Sequence, residues 1–468
     1  MHYTRKRYFK STGDFPECFM IPHGLEDFFS AGTVPLLGKD GRRHLVFLGG
    51  IDLPVPSCPN CKADMYINGV FPTTLRHVPF GGELTFISFD RNQYRCPVCG
   101  KTQMEKVPFR ADHHRISTAL QTYAEDLLKS GLTNKQVAMQ TGLAQCTVKA
   151  IDKDRLRREY TEGGEEENSR ATLKRPSSYA RLLGIDEFKL HNNHRYATHI
   201  IDLETGHILW IAHGKGKQVV YDFIDHVGEA WMSHVEAIAC DMNSDFQEAF
   251  ESRCAWVQPV FDRFHIIKNF NEKVISEVRR DEQKRLMDEG QVEAAKALKH
   301  TRYILTSNRS TLERKDKEAE ESADTAKQKS QERSALFRAP ERKRHGGYVA
   351  KYEALLQENK LLNTMDIVKE QLLAAYTETS EAAMAKRIDE IIETCSSTGN
   401  RHFKWFARLL ESHYKGIIAY ATFHITSGKI EGINNKIKTL RRQAYGIPDD
   451  EYFFLKVIDS SYKRPAHV

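Results

Sequence analysis

Between residues 182 and 261 the apolar positions fall into short runs bounded by turn residues, a strand pattern broken twice by helical spacing. LLGIDEFKL, from Leu182, has the apolar content of a buried strand. YATHIIDL and HILWIAHG flank the turn Glu204-Thr205-Gly206 and predict a hairpin. KQVVYDFIDHVGEAWM has helical spacing, VEAIACD reads as a strand, SDFQEAFES as a short helix and AWVQPVF as a fifth strand. From 266 to 400 the periodicity is helical almost without interruption, and no strand candidate occurs. Within it, 308–345 mixes both charge signs densely and reads as a solvated helix or loop. Helical periodicity is strong again in KYEALLQENKLLNTMDIVKEQLLAAY.

The N-terminal half has a different pattern. HLVFLGGID reads as a strand and a turn, and little else is legible before residue 50. TTLRHVPF, the pair Gly81-Gly82 and ELTFISFDRNQYRC read as hairpin material rich in Thr, Phe, Ile and Tyr. RISTALQTYAEDLLKSG is a helix ending at Gly131, and TNKQVAMQTG opens on Thr133 as N-cap and stops at Gly142. AQCTVKAIDKDRLRREY turns Val148, Ile151 and Leu156 inward and several bases outward. Helix, glycine-containing turn, basic helix is the grammar of a helix-turn-helix; a plain three-helix bundle is the competing reading. The stretch 161–177, acidic and then Ser- and Pro-containing, reads as a linker. Beyond it, three strands, helix, strand, helix, strand is the element order of a ribonuclease-H-like core.

Nine cysteines in 468 residues are too few for a disulfide scaffold. Four form two matching pairs, Cys58-Pro-Asn-Cys61 and Cys96-Pro-Val-Cys99. Two thiolates two residues apart grip one ion from a tight turn, and two such turns complete a tetrahedral site for one structural Zn²⁺. The 34 residues from Lys62 to Arg95 exceed the usual ribbon spacing and require a long hairpin; a pair of redox motifs is the alternative. No apolar run is long enough for a bilayer and no apolar segment follows the basic N-terminus, so a cytoplasmic protein without a membrane partner is expected.

The net charge of +6 is mild, but residues 401–446 carry nine Lys or Arg against two acids, a local surface suited to phosphates. In the third helix of the N-terminal half, Gln145, Thr147 and Lys149 would face base edges. Lys153, Arg155, Arg157 and Arg158 would sit near phosphates, which set affinity and not sequence choice.

Asp186 closes an apolar strand, Asp241 follows Ile238-Ala239-Cys240, and strand ends of an α/β sheet bring such residues together. Converging carboxylates repel unless divalent cations are held between them. Two Mg²⁺ or Mn²⁺ ions on oxygen ligands are the requirement of two-metal phosphoryl transfer. Glu431 is the candidate third acid, on a helix that also offers Asn434, Asn435, Lys436, Lys438, Arg441 and Arg442. Each acid alone is ordinarily a cap or a solvated residue; the joint pattern carries the assignment. Asp262 competes as metal ligand, DNA contact or cap, and with His265 ranks as support behind the ligands.

The blocks GIDEF, ACDMNSDF, FDRFHIIKNFN and SGKIEGINNKIKTLRRQAYG resemble those of insertion-sequence transposases of the ISL-three family, over roughly residues 50–460. The resemblance implies an Asp-Asp-Glu triad at Asp186, Asp241 and Glu431, recognition of terminal inverted repeats, and a helical insertion before the last acid. The fold class expected is multidomain α+β: zinc ribbon, helix-turn-helix, then a ribonuclease-H-like α/β core interrupted by an all-helical insertion. The expected boundaries are an N-terminal segment (1–50), ribbon (51–110), helix-turn-helix (111–160), linker (161–180), core first part (181–265), insertion (266–415), and last core helix with basic tail (416–468). The function expected is cleavage and strand transfer at element ends by a homodimer on double-stranded DNA, with the nucleoid as its place of action. Rivals are a DNA-binding regulator that has lost catalysis, against which the intact triad speaks, and a ribonuclease-H-like nuclease of repair or RNA processing.

Overall fold

A computed structural model describes Leu25 and residues 28–38, 41, 43–112, 114–163, 171–191, 195–242, 244–329, 346–426, 428–443 and 448–462. The acidic run at 164–170, the charged stretch at 330–345 and the end of the basic tail lie outside the described residues. The chain separates into two compact units, 1–173 and 174–468.

The first unit holds strands β1 (Phe28–Leu37), β2 (Arg43–Ile51), β3 (Tyr66–Phe80), β4 (Glu83–Arg95) and β5 (Thr102–Met104), and helices α1 (Thr118–Lys129), α2 (Asn134–Thr141) and α3 (Gln145–Tyr160). The sheet runs β1-β2-β4-β3, with β5 also on β4. The expected hairpin is β3–β4, turning at Gly81 and Gly82, both with positive φ. Thr85, Ile87 and Phe89 are buried at every second position of β4, and Ile87 and Phe89 join Leu75, Phe28 and Phe109 in one core. The glycine pair of HLVFLGGID does not turn. Gly49 pairs with Ser30 and Phe89, so β2 continues between two neighbours. The turn reading failed because cross-strand pairing holds the two glycines extended.

Helix α2 opens on a capping box between Thr133 and Gln136 and closes on Gly142, φ 68°. A Cβ at Gly142 would stand 2.4 Å from Leu84 Cδ2, so the α2–α3 turn is pressed onto the hairpin. Val148, Ile151 and Leu156 of α3 are buried as expected. Arg155 departs from expectation. It is 3% exposed and bonded to Asp152 and Glu159, since it falls on the inward face with Ile151 and Asp152. The presumed linker begins in a two-stranded ladder, β6 (Thr161–Glu162) with β7 (Thr172–Leu173), and runs on beyond it.

In the second unit β8 (Leu182–His191), β9 (Arg195–Asp202), β10 (Ile208–His213), β11 (Ala237–Ala239) and β12 (Gln258–Val260) form one sheet in the order β10-β9-β8-β11-β12. The first three are antiparallel, while β8, β11 and β12 are parallel. Helices α4 (Lys217–Val227), α5 (Glu229–Met232) and α6 (Ser244–Arg253) interleave with the strands. After β12 come α7 (Arg263–Asn269), a π-helical segment (Phe270–Ile275), α8 (Ser276–Asp288), α9 (Val292–Ala297), α10 (Arg302–Thr306), α11 (Arg309–Lys329), α12 (Tyr348–Glu358), α13 (Lys360–Ala375), α14 (Glu381–Ser397), α15 (Arg401–Ser412), α16 (Tyr414–Ile418) and α17 (Tyr420–Phe423). Among the described residues this stretch has no strand. It does not stand apart from the sheet: one apolar core runs from Ile185, Phe223 and Phe246 through Phe261 and Phe270 to Leu372 and Phe403. Helices α18 (Gly428–Gln443) and α19 (Asp450–Ser461) return to the sheet. Among the described residues no helix is long and apolar enough to cross a membrane.

Gly142→Ala adds a Cβ where the backbone is left-handed and Leu84 fills the space. It is expected to destabilise the first unit by about 1–2 kcal/mol from conformation alone, and more from the clash. Urea unfolding followed by the CD of the α1–α3 unit reads the loss; an unchanged midpoint would refute the packing.

Candidate catalytic site and zinc centre

The two knuckles at the open end of the β3–β4 hairpin have the same backbone. Lys62 N–H donates to Cys58 O at 2.9 Å and Gly100 N–H to Cys96 O at 3.1 Å, and both residues have positive φ, 64° and 72°. The sulfurs of Cys58 and Cys99 are 3.5 Å apart, those of Cys61 and Cys96 3.4 Å, and those of Cys61 and Cys99 3.8 Å. Zn–S bonds of about 2.3 Å at tetrahedral angles place sulfurs about 3.8 Å apart, so the thiols fit one Zn²⁺. Among the described residues this is the only set of three or more His, Cys, Asp or Glu with all ligand atoms within 4.8 Å of one another. The N–H groups of Cys99 and Val98 point at Cys96 Sγ and hold its thiol down, while the neighbouring sulfurs raise Cys61 and Cys99, the load that a shared cation would relieve.

Strand register builds the acidic site. Gly184 of β8 lies beside Ala239 of β11, and Ala239 beside Val260 of β12. Two residues further along the chain stand Asp186, still within β8, and Asp241 and Asp262, just past the ends of β11 and β12. Side chains alternate, so Leu183, Ile185, Ile238 and Cys240 enter the core while Asp186 and Asp241 take the opposite face. Asp186 does not end its strand, which runs on to His191 because β9 keeps pairing with it; the parallel partner β11 is what stops.

Helix α18 lies along that face. A Cβ at Gly184 would meet Ile430 Cδ1 at 2.8 Å, Asn434 Nδ2 donates to Asp186 Oδ2 at 2.5 Å, and Arg441 Nη1 donates to Lys189 O at 2.9 Å. Eleven helical steps at about 1.5 Å match five strand steps at about 3.3 Å, which keeps helix and strand in step. Ile430, Ile433 and Ile437 are buried, on the order of 1.5–3 kcal/mol each. Lys429 Nζ donates to Leu203 O and Glu204 O and anchors the first turn. Glu431 is exposed in that turn, one turn before Asn434, and Asn435, Lys438 and Arg442 continue its exposed stripe. Lys436 instead donates to Ser460 O at the end of α19. The carboxylates of Asp186, Asp241 and Glu431 do not all lie within 4.8 Å of one another.

The surroundings orient the two aspartates. Glu187 N–H donates to Asp186 Oδ1 at 2.8 Å, and Met242 N–H to Asp241 Oδ1 at 2.7 Å. His265 Nδ1 stands 3.1 Å from Asp241 Oδ1. Burial raises the Asp186 carboxyl above its ordinary range and the Asp241 charge adds to this, against the bonds from Glu187 and Asn434 and the field of His265. Glu187 is raised by burial and then by the Asp186 charge, with Asp241 and Asp245 adding and Lys215 opposing. Asp262 is buried at the start of α7, and burial followed by its charge holds the Tyr376 hydroxyl high. His199, opposite Asp186 in register, is fully buried and held down at about 4 by burial, so it stays neutral.

On α3, Gln145, Arg157 and Arg158 are exposed, while Thr147, Lys149 and Lys153 are half-buried. Arg158 also reaches Glu125 of α1 at 2.6 Å. Glu187, adjacent to Asp186 in sequence and a weaker candidate on that ground, also feels the Asp241 charge, which strand pairing brings near.

Two outcomes follow. The purified chain is expected to hold one zinc per molecule by elemental analysis, and Cys96→Ser to lose it; zinc retained in the variant would refute the cluster. Because the Asp186 pKa is raised, the folded state holds its proton longer than the unfolded one. Metal-free stability should therefore fall as pH rises from about 4 through the raised value. Asp186→Asn should remove that slope and any rise in Tm on adding Mn²⁺; a variant that Mn²⁺ still stabilises as it does the wild type would contradict the site.

Residues 183–457 match the DDE transposase family ISL3 (ISL-three), and residues 54–99 match the zinc-finger of transposase IS204/IS1001/IS1096/IS1165. The chain is 27% identical over 405 residues to the transposase for insertion sequence element IS1001 of Bordetella parapertussis, covering 86% of this chain and 87% of the relative. It is 26% identical over 420 residues to the transposase for IS1557 of Mycobacterium tuberculosis, covering 87% and 86%. With one family spanning the acidic site and its own zinc-finger matching the cysteine hairpin, the chain belongs to the ISL3 family of insertion-sequence transposases.

Proposed function

We propose that this transposase binds the terminal inverted repeats of its insertion sequence and cleaves and joins DNA at a site made by Asp186, Asp241 and Glu431. The observation that carries the reading is the placement of Asp186 on β8 and of Asp241 just past the end of the parallel strand β11, with α18 bonded to Asp186 through Asn434. In this reading the sheet with α4, α6 and α18 is a ribonuclease-H-like core, the block between α7 and α17 is its insertion, and α1–α3 are a helix-turn-helix.

Asp186, Asp241 and Glu431 would hold divalent cations, Mg²⁺ or Mn²⁺, which supply activation of the attacking oxygen and neutralise charge gathering on the phosphate. Asn434 and the Glu187 N–H keep the Asp186 carboxylate turned to the α18 face. The Met242 N–H and His265 do the same for Asp241, leaving its Oδ2 to face the substrate. Lys438 and Arg442, on the exposed stripe with Glu431, contact phosphates flanking the scissile one. Water first displaces a 3′-oxygen from phosphorus, and the released 3′-OH then attacks a target phosphodiester and displaces its 3′-oxygen. Joining two element ends requires two protomers on DNA, acting in the cytoplasm at the nucleoid.

The test is cleavage of a labelled duplex carrying the element's end, in Mg²⁺, with wild type and Glu431→Gln. The expected result is cutting at the end by wild type and a loss of at least about 100-fold in the variant, with duplex binding retained. Equal cutting by both proteins would remove Glu431 from the site.

A further inference from the structure

A cleft of about 340 Å³ opens in the first unit between the β3–β4 hairpin and the start of α3. The residues that matter are Arg76, Phe86, His114, Arg115, Ala144 and Thr147. Two of the lining residues are cations and none is an acid. The Arg76 guanidinium is fixed: it donates to Gly142 O and lies over the Phe86 ring, 5.2 Å from the centroid. Arg115 is held by its backbone, its carbonyl accepting from Arg76 N–H at 3.1 Å, while its side chain is exposed. Ala144 caps α3 with no side-chain acceptor, so the first-turn N–H groups of a 16-residue helix have no capping oxygen. His114 adds a buried Nε2 that has no partner among the described residues. Two guanidiniums, an imidazole and a helix N-terminus without a carboxylate describe a receptor for an anion that accepts several hydrogen bonds.

We propose that this cleft seats one phosphate of the DNA backbone, gripped from the ribbon by Arg76 and from the helical side by Arg115 and the first turn of α3. The inference rests on the reading of α1–α3 as a DNA-binding element. The exposed Gln145 and Cys146 continue the surface from the cleft along α3, so an extended strand can pass where an isolated anion would need no such path. The cleft is several times larger than a phosphate group and has room for the neighbouring sugars. A backbone contact at this point sets the register of α3 on the duplex without choosing bases. It also ties DNA binding to the zinc-closed hairpin, because Arg76 and Phe86 belong to that hairpin.

The experiment measures affinity for an end-containing and an unrelated duplex across a salt series, for wild type, Arg115→Ala and Arg115→Lys. Arg115→Ala is expected to weaken both duplexes by about tenfold and to reduce the salt slope by about 0.9, with zinc content and Tm unchanged. Arg115→Lys should recover the slope, since it keeps the charge, and only part of the affinity, since it lacks the planar fork. An unchanged slope in Arg115→Ala with DNA binding intact overturns the phosphate seat and leaves the DNA-binding reading standing. Failure of wild type to bind either duplex overturns both. Protection of the cleft by inorganic phosphate, with duplex affinity indifferent to Arg115, assigns it to a free anion and overturns the DNA assignment.

Discussion

Parallel strands in register set residues of equal depth side by side, and in the second unit the positions two steps past the paired Gly184, Ala239 and Val260 are Asp186, Asp241 and Asp262. With β8 and β11 paired as they are, the chain leaving β11 brings Asp241 near enough for its charge to act on the Asp186 carboxyl. A slip of one residue in either pairing would send an aspartate into the apolar layer of Leu183, Ile238 and Phe246, where an unpaired carboxylate costs several kcal/mol. The register is therefore held by the same alternation that fills the core. Its consequence is an electrostatic load: buried Asp186 is raised by desolvation and by its neighbour's charge, and positive groups or cations relieve it.

Helix α18 gives that load a third side. More than 240 residues separate Asp186 from Asn434, yet α18 advances along β8 at matching pitch and is fastened at both ends by Lys429 and Arg441. Gly184 is part of the same device, because only a missing side chain lets Ile430 come so close to the strand. The intervening helices need not be a separate body to return the chain to this point. Their core is continuous with the sheet's, through Phe261, Ile266 and Phe270. Rigid support on one face thus fixes the helix that carries Glu431 on the other.

The first unit uses a different economy. A hairpin of 15- and 13-residue strands is long for the apolar surface it buries, and its outer half exposes Tyr66, Ile67, Val70 and Phe71. The four thiols clamp its open end, and the α2–α3 turn is pressed against the other through Gly142 and Leu84. Metal and helices thereby stiffen the two ends of one hairpin, and the cleft with Arg76 and Arg115 lies at the helical end.

Local chemistry was legible in the residues themselves. Cys58, Cys61, Cys96 and Cys99 declare a metal knuckle by spacing, Thr133 and Gly142 delimit a helix by capping, and residue type with flanking turns marks β3, β4, β8 and β9, since each depends on neighbours within a few positions. The strand β1, the extended Gly49-Gly50 pair and the inward turn of Arg155 were not legible, because cross-strand partners and the Asp152 carboxylate decide them. The same division runs through the acidic site. Sequence alone nominated Asp186, Asp241 and Glu431 as candidates by residue type and by resemblance. Only the tertiary structure decided that Asp186 lies mid-strand, that Asp262 is buried at the start of α7, that His265 reaches Asp241 and that Asn434 holds Asp186. Those outcomes are set by register and by helix-on-sheet packing, interactions between residues far apart in the chain that no local pattern encodes.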